Sequence, residues 1–273
     1  MAYKLVAIDI DGTLIDDNRQ ISAATKQAIA KATAQGVKVI IASGRPMTGV
    51  RGFLKELGLY GQDDQYVITF NGALGESTNG DEIVRSELTY DDYVELELFF
   101  RKMGARMHVE TPNYIYTANQ DISPYTVLES FLVSMPVRYR TLDQMAKMRS
   151  QFHFMKLMGV DEPSILQKVE DNLPQSLKDR FAIMRSEDYF LEFVNKKAGK
   201  GNAMVSLGEK LGIKPSEMLA LGNAQNDESM LAAAGLGVAM KNSVPHTLKM
   251  ADAVTDDNNH DGVAKAIEKY VLK

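Results

Sequence analysis

The chain alternates short apolar runs with amphipathic segments, and this alternation constrains its fold more than any other feature. Residues 4–10 (KLVAIDI), 37–43 (VKVIIAS) and 66–72 (YVITFNG) have the length and composition of buried strands. Residues 21–36 and 46–58 lie between them and space their apolar side chains as helices do. Strand–helix–strand units of this length form parallel sheets with right-handed crossovers. The sequence therefore predicts an α/β fold built on a parallel sheet.

The C-terminal part of the chain resumes this pattern, whereas the middle departs from it. Past residue 200 the predicted elements alternate again, as helix 200–212, strand 218–222, helix 226–235, strand 236–240 and helix 261–272. Between them, the polarity alternation at 105–110, 113–118, 152–160, 180–186 and 189–195 predicts strands, with helices at 90–103, 123–133 and 161–173. We expect residues 1–83 and 194–273 to form one domain and 84–193 an inserted α+β domain.

Composition and charge exclude several classes of protein. The formal net charge is -5 with no basic block, which argues against a nucleic-acid partner. The absence of cysteine excludes disulfides, thiolate chemistry and cysteine-ligated zinc. The N-terminal run lacks the features of a secretion signal, and no segment approaches the roughly 18 apolar residues of a membrane span. We expect a cytoplasmic protein without a membrane partner, and its oligomeric state stays open.

Histidine spacing gives no sign of a metal site. The chain has four histidines, with no HExxH or paired arrangement, and all four are predicted to be surface or half-buried residues: His108, His153, His246 and His260.

Polar side chains follow the predicted parallel strands where these strands end. In strand order they are Asp9 and Asp11, then Ser43, then Asn71 and Gly72, then Asn223, Asn226 and Asp227. Because ligands of open parallel sheets bind at the carboxyl ends of the strands, we expect these residues to converge. Lys200, at the start of the helix before the fourth strand, is expected to reach the same edge. Carboxylates, amides, a hydroxyl and a lysine together predict a site for a hard cation and a phosphate.

Taken singly, several of these residues have an ordinary structural explanation. Asp11 and Gly12 suit a tight turn, and Ser43 suits the cap of the next helix. Lys200 lies in a lysine-rich stretch, which is typical of a solvated surface. The order of all of them at successive strand ends favours the phosphoryl site.

Four ordered segments resemble the motifs of the haloacid dehalogenase superfamily of phosphatases. They are DIDGTLID (9–16), SGR (43–45), the lysine of GKG (199–201) and GNAQND (222–227). The resemblance covers nearly all 273 residues. It implies a Rossmann-like core with a parallel sheet and, between the second and third motifs, a C2-type α+β cap as in the Cof-like subfamily. Within that subfamily the chain is most similar to sugar-phosphate phosphatases.

The resemblance also implies a role for each matching residue. Asp9 would attack phosphorus to form an aspartyl phosphate, while Asp11 would protonate the leaving oxygen and then activate water. The implied phosphate-binding residues are Ser43, Gly44, Lys200 and Asn226. The implied Mg²⁺ ligands are Asp9, the Asp11 carbonyl, Asn223 and Asp227, the last acting through metal-bound water. Arg45, Asn71 and Gly72 would line the substrate entrance.

Asn223 departs from the family pattern, which has an aspartate at this position as a direct magnesium ligand. An amide oxygen still coordinates a hard cation, but one negative charge is lost, so weaker Mg²⁺ binding is expected. The sequence therefore predicts a Mg²⁺-dependent phosphatase of small phosphorylated metabolites, above all sugar phosphates. Two alternatives stay open: a phosphomutase or phosphotransferase of the same superfamily, and a catalytically impaired protein that binds a phosphorylated ligand.

Overall fold

The computed structural model of the protein describes residues 3–272 and divides into two compact units. The first unit holds the chain up to Gly44, Val50–Arg85 and the chain from Gly199 onward, and the second holds Arg45–Gly49 and Ser86–Ala198. The domain limits proposed from the sequence fall at 83/84 and 193/194, close to these divisions. Residues 1, 2 and 273 of the predicted core domain lie outside the described residues.

Strands and helices alternate along most of the described chain. The strands are β1 Leu5–Ile8, β2 Lys38–Ala42, β3 Tyr66–Thr69, β4 Leu74–Ser77, β5 Glu82–Arg85, β6 Met107–Glu110, β7 Ile115–Thr117, β8 Val137–Tyr139, β9 Lys156–Val160, β10 Phe181–Glu187, β11 Phe190–Asn195, β12 Met218–Gly222, β13 Leu236–Ala239 and β14 Ala253–Val254. The α-helices are α1 Ala23–Ala34, α2 Met47–Glu56, α3 Tyr90–Met103, α4 Pro124–Leu132, α5 Leu142–Lys147, α6 Pro163–Asp171, α7 Gln175–Arg180, α8 Lys200–Leu211, α9 Glu228–Ala233, α10 Pro245–Met250 and α11 Gly262–Tyr270.

The first unit is built on an eight-stranded sheet in the order β14-β13-β12-β1-β2-β3-β4-β5. From β14 to β3 the strands run parallel, which confirms the predicted fold class, and β4 and β5 add an antiparallel edge that was not predicted. Every residue of β1 and β12 is buried. Strands covered on both faces are expected to be apolar throughout, and this explains why the runs 4–10 and 218–222 were recognisable.

Helix α1 shows how local signals set the element boundaries of this unit. Ser22 caps the helix as predicted, because its side chain accepts a hydrogen bond from the main-chain N–H of Thr25. Gly36 follows the helix with φ +82°, a conformation that glycine adopts without strain. Ala28, Ile29 and Ala32 form the buried face of the helix.

The second unit is built on a six-stranded sheet in the order β10-β11-β9-β6-β7-β8. All of its strand pairs are antiparallel except β7 with β8. Side chains on one face, including Met107, Val109 and Phe193, belong to a core with residues of α3 and α6. Strand alternation places the polar residues between them on the opposite face.

His108 lies on that opposite face and corrects the prediction that all four histidines are surface or half-buried. Only 1% of its side chain is exposed, and its Nδ1 lies 3.0 Å from Thr126 Oγ1 of α4. The sequence showed the alternation along β6 but not that a helix covers this face. Within residues 3–272, no helix combines the length and the apolarity needed to cross a bilayer.

Candidate active site

Asp9 lies directly after β1, at the carboxyl end of the central strand. Its main-chain N–H donates to Leu221 O of β12 over 3.0 Å, and the residue is only 6% exposed. The chain then turns sharply, with Gly12 at φ +76°. A Cβ on Gly12 would lie 2.5 Å from a terminal atom of the Asn223 amide, so glycine is needed both for the turn and for this close approach.

Lys200 is the first residue of α8, and its ammonium group bridges two carboxylates. Lys200 Nζ donates to Asp9 Oδ1 and to Asp227 Oδ1, each over 2.6 Å. The lysine is fully buried, so the solvated surface residue suggested by its local composition is wrong. Gly201 allows this placement, because a Cβ there would lie 2.1 Å from Ser229 O of α9. The close packing of α8 on α9 therefore directs the ammonium group towards the strand ends.

Asp227 is fully buried and uses both carboxylate oxygens within the protein. While Oδ1 accepts from Lys200, Oδ2 accepts from the main-chain N–H groups of Asn223 (2.9 Å) and Ala224 (3.0 Å). In this arrangement Asp227 fixes the loop that carries Asn223. Its predicted contribution to metal binding, through a metal-bound water, stays a prediction.

The pKa values of Asp9 and Lys200 are both shifted in this cluster. Burial raises the pKa of Asp9, the charge of Asp227 adds to the rise, and Lys200 opposes it. Burial alone would lower the pKa of Lys200, but the charges of Asp227 and Asp9 outweigh it, so that pKa is raised. Lys200 is thus held as a cation between two carboxylates. With both carboxylates ionised the trio carries one net negative charge, which favours a further cation nearby.

The oxygens predicted to hold Mg²⁺ lie together beside Asp9. One terminal atom of the Asn223 amide is 2.9 Å from Asp11 O and 3.3 Å from Asp9 Oδ2. Adjacent ligands of an octahedral Mg²⁺ with bonds of about 2.1 Å lie about 3 Å apart. No three Asp, Glu, His or Cys side chains of residues 3–272 form a metal-binding group, so an ion here would rest on one carboxylate, one carbonyl and one amide. This oxygen donor set fits Mg²⁺.

A second polar group lies at the ends of β2 and β3. Asn226 Nδ2 donates to Asn71 Oδ1 over 3.0 Å, and the main-chain N–H of Asn71 donates to Ser43 O over 3.0 Å. A Cβ on Gly44 would lie 3.1 Å from the Asn71 amide. Asn71 itself has φ 55°, a left-handed conformation that asparagine tolerates better than most residues. The structure thus brings Ser43, Gly44, Asn71 and Asn226 together, as the strand-end argument predicts.

Gly72 has a packing role that the sequence did not indicate. Its φ is +91°, and a Cβ there would lie 2.3 Å from both the carbonyl carbon and oxygen of Gly199. Gly72 therefore lets the turn after β3 pack directly against the residue before Lys200. Arg45 belongs to the second unit, in the segment Arg45–Gly49.

Two further residues support the site and were not predicted. Thr13 Oγ1 lies 2.9 Å from a terminal atom of the Asn223 amide, within hydrogen-bonding distance. Asn242 Nδ2 donates to Gly12 O over 2.9 Å and so holds the turn after Asp9. Asn242 follows β13, and extending the strand-end argument to a fifth strand would have identified it.

Comparison with known proteins then assigns the family. Residues 6–267 match the family model of haloacid dehalogenase-like hydrolases. The chain belongs to this family. It is 45% identical over 273 residues, all of both chains, to a Streptococcus pyogenes protein whose name gives phosphatase activity as a provisional assignment. The predicted family and enzyme class, a haloacid dehalogenase-type phosphatase, are confirmed.

Two more similar proteins show how far the likeness extends. The 5-amino-6-(5-phospho-D-ribitylamino)uracil phosphatase of Bacillus subtilis is 29% identical over 272 residues, which are 98% of this chain and 96% of the relative. The crystal structure of a haloacid dehalogenase-like hydrolase from Bacteroides thetaiotaomicron is 30% identical, with a TM-score of 0.86 over 98% of this chain and 99% of that one. The similarity therefore includes both compact units.

Proposed function

We propose that the protein is a Mg²⁺-dependent phosphatase of small phosphorylated metabolites that works through an aspartyl phosphate on Asp9. The observation that carries this proposal is the placement of Lys200 Nζ, 2.6 Å from both Asp9 and Asp227, at the carboxyl end of β1. A buried lysine in this position orients the nucleophilic carboxylate and offsets the charge of an arriving phosphoryl group.

In the first step, a carboxylate oxygen of Asp9 attacks phosphorus in line with the leaving group. The new bond joins Asp9 to phosphorus, and the bond between phosphorus and the substrate oxygen breaks. Asp11, two residues farther along the same turn, gives its proton to that oxygen, and the dephosphorylated product leaves as a neutral alcohol. One difficult displacement thereby becomes two easier ones.

In the second step, water attacks phosphorus of the aspartyl phosphate. Asp11 now takes a proton from the water, the bond between Asp9 and phosphorus breaks, and inorganic phosphate leaves. Asp9 returns as a carboxylate and Asp11 as a protonated acid, so the cycle is balanced.

The remaining polar residues would bind and orient the phosphoryl group. Ser43 supplies a hydroxyl and Gly44 a main-chain N–H, while Asn226 supplies an amide held by Asn71. Asp9 Oδ2, Asp11 O and the Asn223 amide oxygen would hold the metal ion, with Asp227 acting through a metal-bound water. A bound Mg²⁺ would polarise the phosphoryl oxygens and offset the charge that develops on them.

We propose sugar phosphates as the main substrate class. The Bacillus subtilis relative, which is named for a phosphorylated ribityl compound, supports a substrate of this size and kind. We also propose that the first unit is the catalytic core, with Arg45 and Gly72 near the substrate entrance, and that the second is the cap. A cytoplasmic location stays a prediction from the sequence.

The test is release of inorganic phosphate from a panel of sugar phosphates and other small phosphoesters, titrated with Mg²⁺. Asp9→Asn removes the nucleophile and is expected to lower turnover by about 1,000-fold or more. Asp63→Asn, which removes an exposed carboxylate, is the matched control and is expected to keep turnover. Isomerised sugar phosphate without free phosphate would indicate a mutase, and binding without turnover would indicate a phosphate-ligand-binding protein.

A further inference from the structure

The two ends of the Asn223 amide would offer opposite chemistry to the same neighbours. One terminal atom lies 2.9 Å from Asp11 O, 2.9 Å from Thr13 Oγ1 and 3.3 Å from Asp9 Oδ2. A nitrogen in this position has two hydrogens to donate, and all three oxygens are within hydrogen-bonding distance of it. An oxygen in this position accepts only from the Thr13 hydroxyl and faces two other acceptors.

We infer that the Asn223 amide flips about χ2 when a metal ion binds. In the metal-free protein its NH₂ group faces Asp9 and the Asp11 carbonyl. After metal binding its oxygen faces the ion. The inference rests on the metal site of the proposed function. Without a cation, the nitrogen-inward orientation donates towards Asp9 Oδ2 and the Asp11 carbonyl, two acceptors that the oxygen-inward orientation leaves opposed. With a cation among these oxygens, only the oxygen-inward orientation supplies a ligand.

The fold permits this rotation without movement of the main chain. The Asn223 N–H is fixed by Asp227 Oδ2 at 2.9 Å, and its carbonyl accepts from the Val244 N–H at 3.1 Å. The rotation therefore takes place about χ2, a torsion that is broad and close to two-fold in asparagine. Thr13 suits either orientation, because a hydroxyl both donates and accepts.

An aspartate at this position has no such second state. A carboxylate has no hydrogen to donate, so beside Asp9 Oδ2 and Asp11 O it would remain opposed to them until a cation arrives. Asn223 thus gives the metal-free site a stable hydrogen-bonded form with which Mg²⁺ must compete. We expect Mg²⁺ to bind about 10 to 100-fold more weakly to the natural protein than to Asn223→Asp.

The direct test is NMR of the side-chain NH₂ groups of the full-length protein, first in EDTA and then with saturating MgCl₂. The Asn223 signals are assigned by their loss in Asn223→Asp, with Asn223→Ser as a second variant should the first fail to fold without metal. Asn195, whose Nδ2 donates to Glu87 O over 2.9 Å within the second unit, is the internal reference.

We expect the Asn223 NH₂ group to exchange slowly with water in EDTA and to shift and exchange faster in Mg²⁺, while Asn195 stays unchanged. Fast exchange of Asn223 in EDTA, or identical Asn223 spectra in both conditions, would overturn the inference. Calorimetric Mg²⁺ titration provides a second readout, and equal affinity of the natural protein and Asn223→Asp would also overturn it.

These results are separate from the test of the proposed function. If the protein releases phosphate but the Asn223 amide does not flip, only this inference is refuted. If the Asn223 amide flips but the protein releases no phosphate, only the phosphatase proposal is refuted.

Discussion

Each compact unit buries one lysine among carboxylates, but the two arrangements differ in geometry and in charge. In the first unit, Lys200 Nζ lies 2.6 Å from each of two carboxylates. In the second unit, Lys156 Nζ lies 3.4 Å from Glu110, 3.6 Å from Glu129 and 3.7 Å from Glu192. Lys200 forms short, hydrogen-bonded ion pairs with both of its carboxylates. Lys156 has three carboxylates around it, and all three lie at longer distances.

The partners of the two lysines differ as well. Both carboxylate oxygens of Asp227 accept hydrogen bonds, whereas within residues 3–272 the carboxylate oxygens of Glu110 and the Nε2 of His108 make none. Burial raises the pKa of Glu110, and it raises the pKa of Glu129 to about 7, with Lys156 opposing both rises. Burial lowers the pKa of His108 to about 3. Burial also raises the pKa of Asp9 to about 7, so the two clusters differ in their distances and hydrogen bonds and in the number of carboxylates around each lysine.

Replacing each lysine by methionine is expected to give the largest difference between the clusters. Lys200→Met leaves Asp9 and Asp227 buried and unpaired, which costs about 3–5 kcal/mol of the free energy of unfolding at neutral pH. It should also lower phosphate release by about 100-fold or more, because the nucleophile is no longer oriented. Urea unfolding in EDTA and turnover with Mg²⁺ measure the two effects.

Lys156→Met is the matched variant in the second unit. It should cost stability near pH 8 and less near pH 5, where the raised pKa of Glu129 leaves that carboxyl protonated. Turnover should change by less than about 10-fold, since electrostatic effects on catalysis come from groups aimed at the reacting atoms. If Lys156→Met lost as much turnover as Lys200→Met, the distinction between a lysine that orients the nucleophile and one that does not would be contradicted.

The packing that positions Lys200 can be tested at Gly72. Gly72→Ala forces a Cβ against the main chain of Gly199, 2.3 Å away, in a residue with φ +91°. We expect a loss of about 2–4 kcal/mol in stability, together with reduced turnover, from backbone strain and displacement of Lys200. Thermal unfolding and phosphate release provide the measurements.

Gly58→Ala controls for backbone strain alone. Gly58 has φ +71° with no atom near its Cβ position, so its replacement should cost about 1–2 kcal/mol and leave turnover unchanged. Equal losses of turnover in the two glycine variants would show that contact with Gly199 does not position the site.

The protonation of the second cluster can be tested with Glu129→Gln. Because folding raises the pKa of Glu129 from 4.5 to about 7, the folded state binds this proton more tightly than the unfolded state. The contribution of Glu129 to the free energy of unfolding therefore falls as the pH rises from 4.5 to about 7, by about 2–3 kcal/mol. Glu129→Gln should lose this pH dependence, as measured by urea unfolding between about pH 5 and pH 8.

The groups that face Glu129 are present in both the natural protein and Glu129→Gln. The difference between the two stability curves therefore reports on the Glu129 carboxyl alone. They are His108 and Glu110 on β6, Lys156 on β9 and Glu192 on β11. Parallel stability curves for the natural protein and Glu129→Gln would show that Glu129 does not hold the proton.

The smallest expected effect is that of Ser186→Ala. Ser186 Oγ donates to Glu192 Oε1 over 2.6 Å at the exposed end of β10. Loss of one partly exposed hydrogen bond should cost about 1 kcal/mol, visible as a shift of the urea midpoint. A loss as large as that of Lys156→Met would mean that this hydrogen bond, rather than the lysine, holds the cluster together.

The sequence predicted those parts of the fold in which side-chain pattern and structure coincide. Strand β12 lies where the run 218–222 indicated, and α3 occupies the predicted 90–103, because burial on both faces or on one helical stripe leaves a readable apolar pattern. The strands β4 and β5 were missed. Residues 74–77 (LGES) have little apolar character, and main-chain pairing between β3 and β5 places them in the sheet.

The same limit applies to the site. Strand-end position identified Asp9, Asn71 and Asn223, since the carboxyl ends of parallel strands meet at one edge. Which oxygen each group uses could not be read from the sequence. The bond of Lys200 to Asp227, and the packing of Gly72 on Gly199, depend on how elements far apart in the chain pack together.

The most direct test of the central claim, that Asp9 held by Lys200 is a nucleophile, uses Asp11→Asn with an aryl phosphate and Mg²⁺. The leaving group of such a substrate needs no proton, so the first step should proceed while the second, which needs Asp11 as a base, should be slow. We predict a burst of about one released aryl alcohol for each enzyme, with a phosphoryl group on the peptide that contains Asp9 by mass spectrometry. Turnover by the natural protein without a burst in Asp11→Asn, or with the phosphoryl group on another residue, would contradict the account.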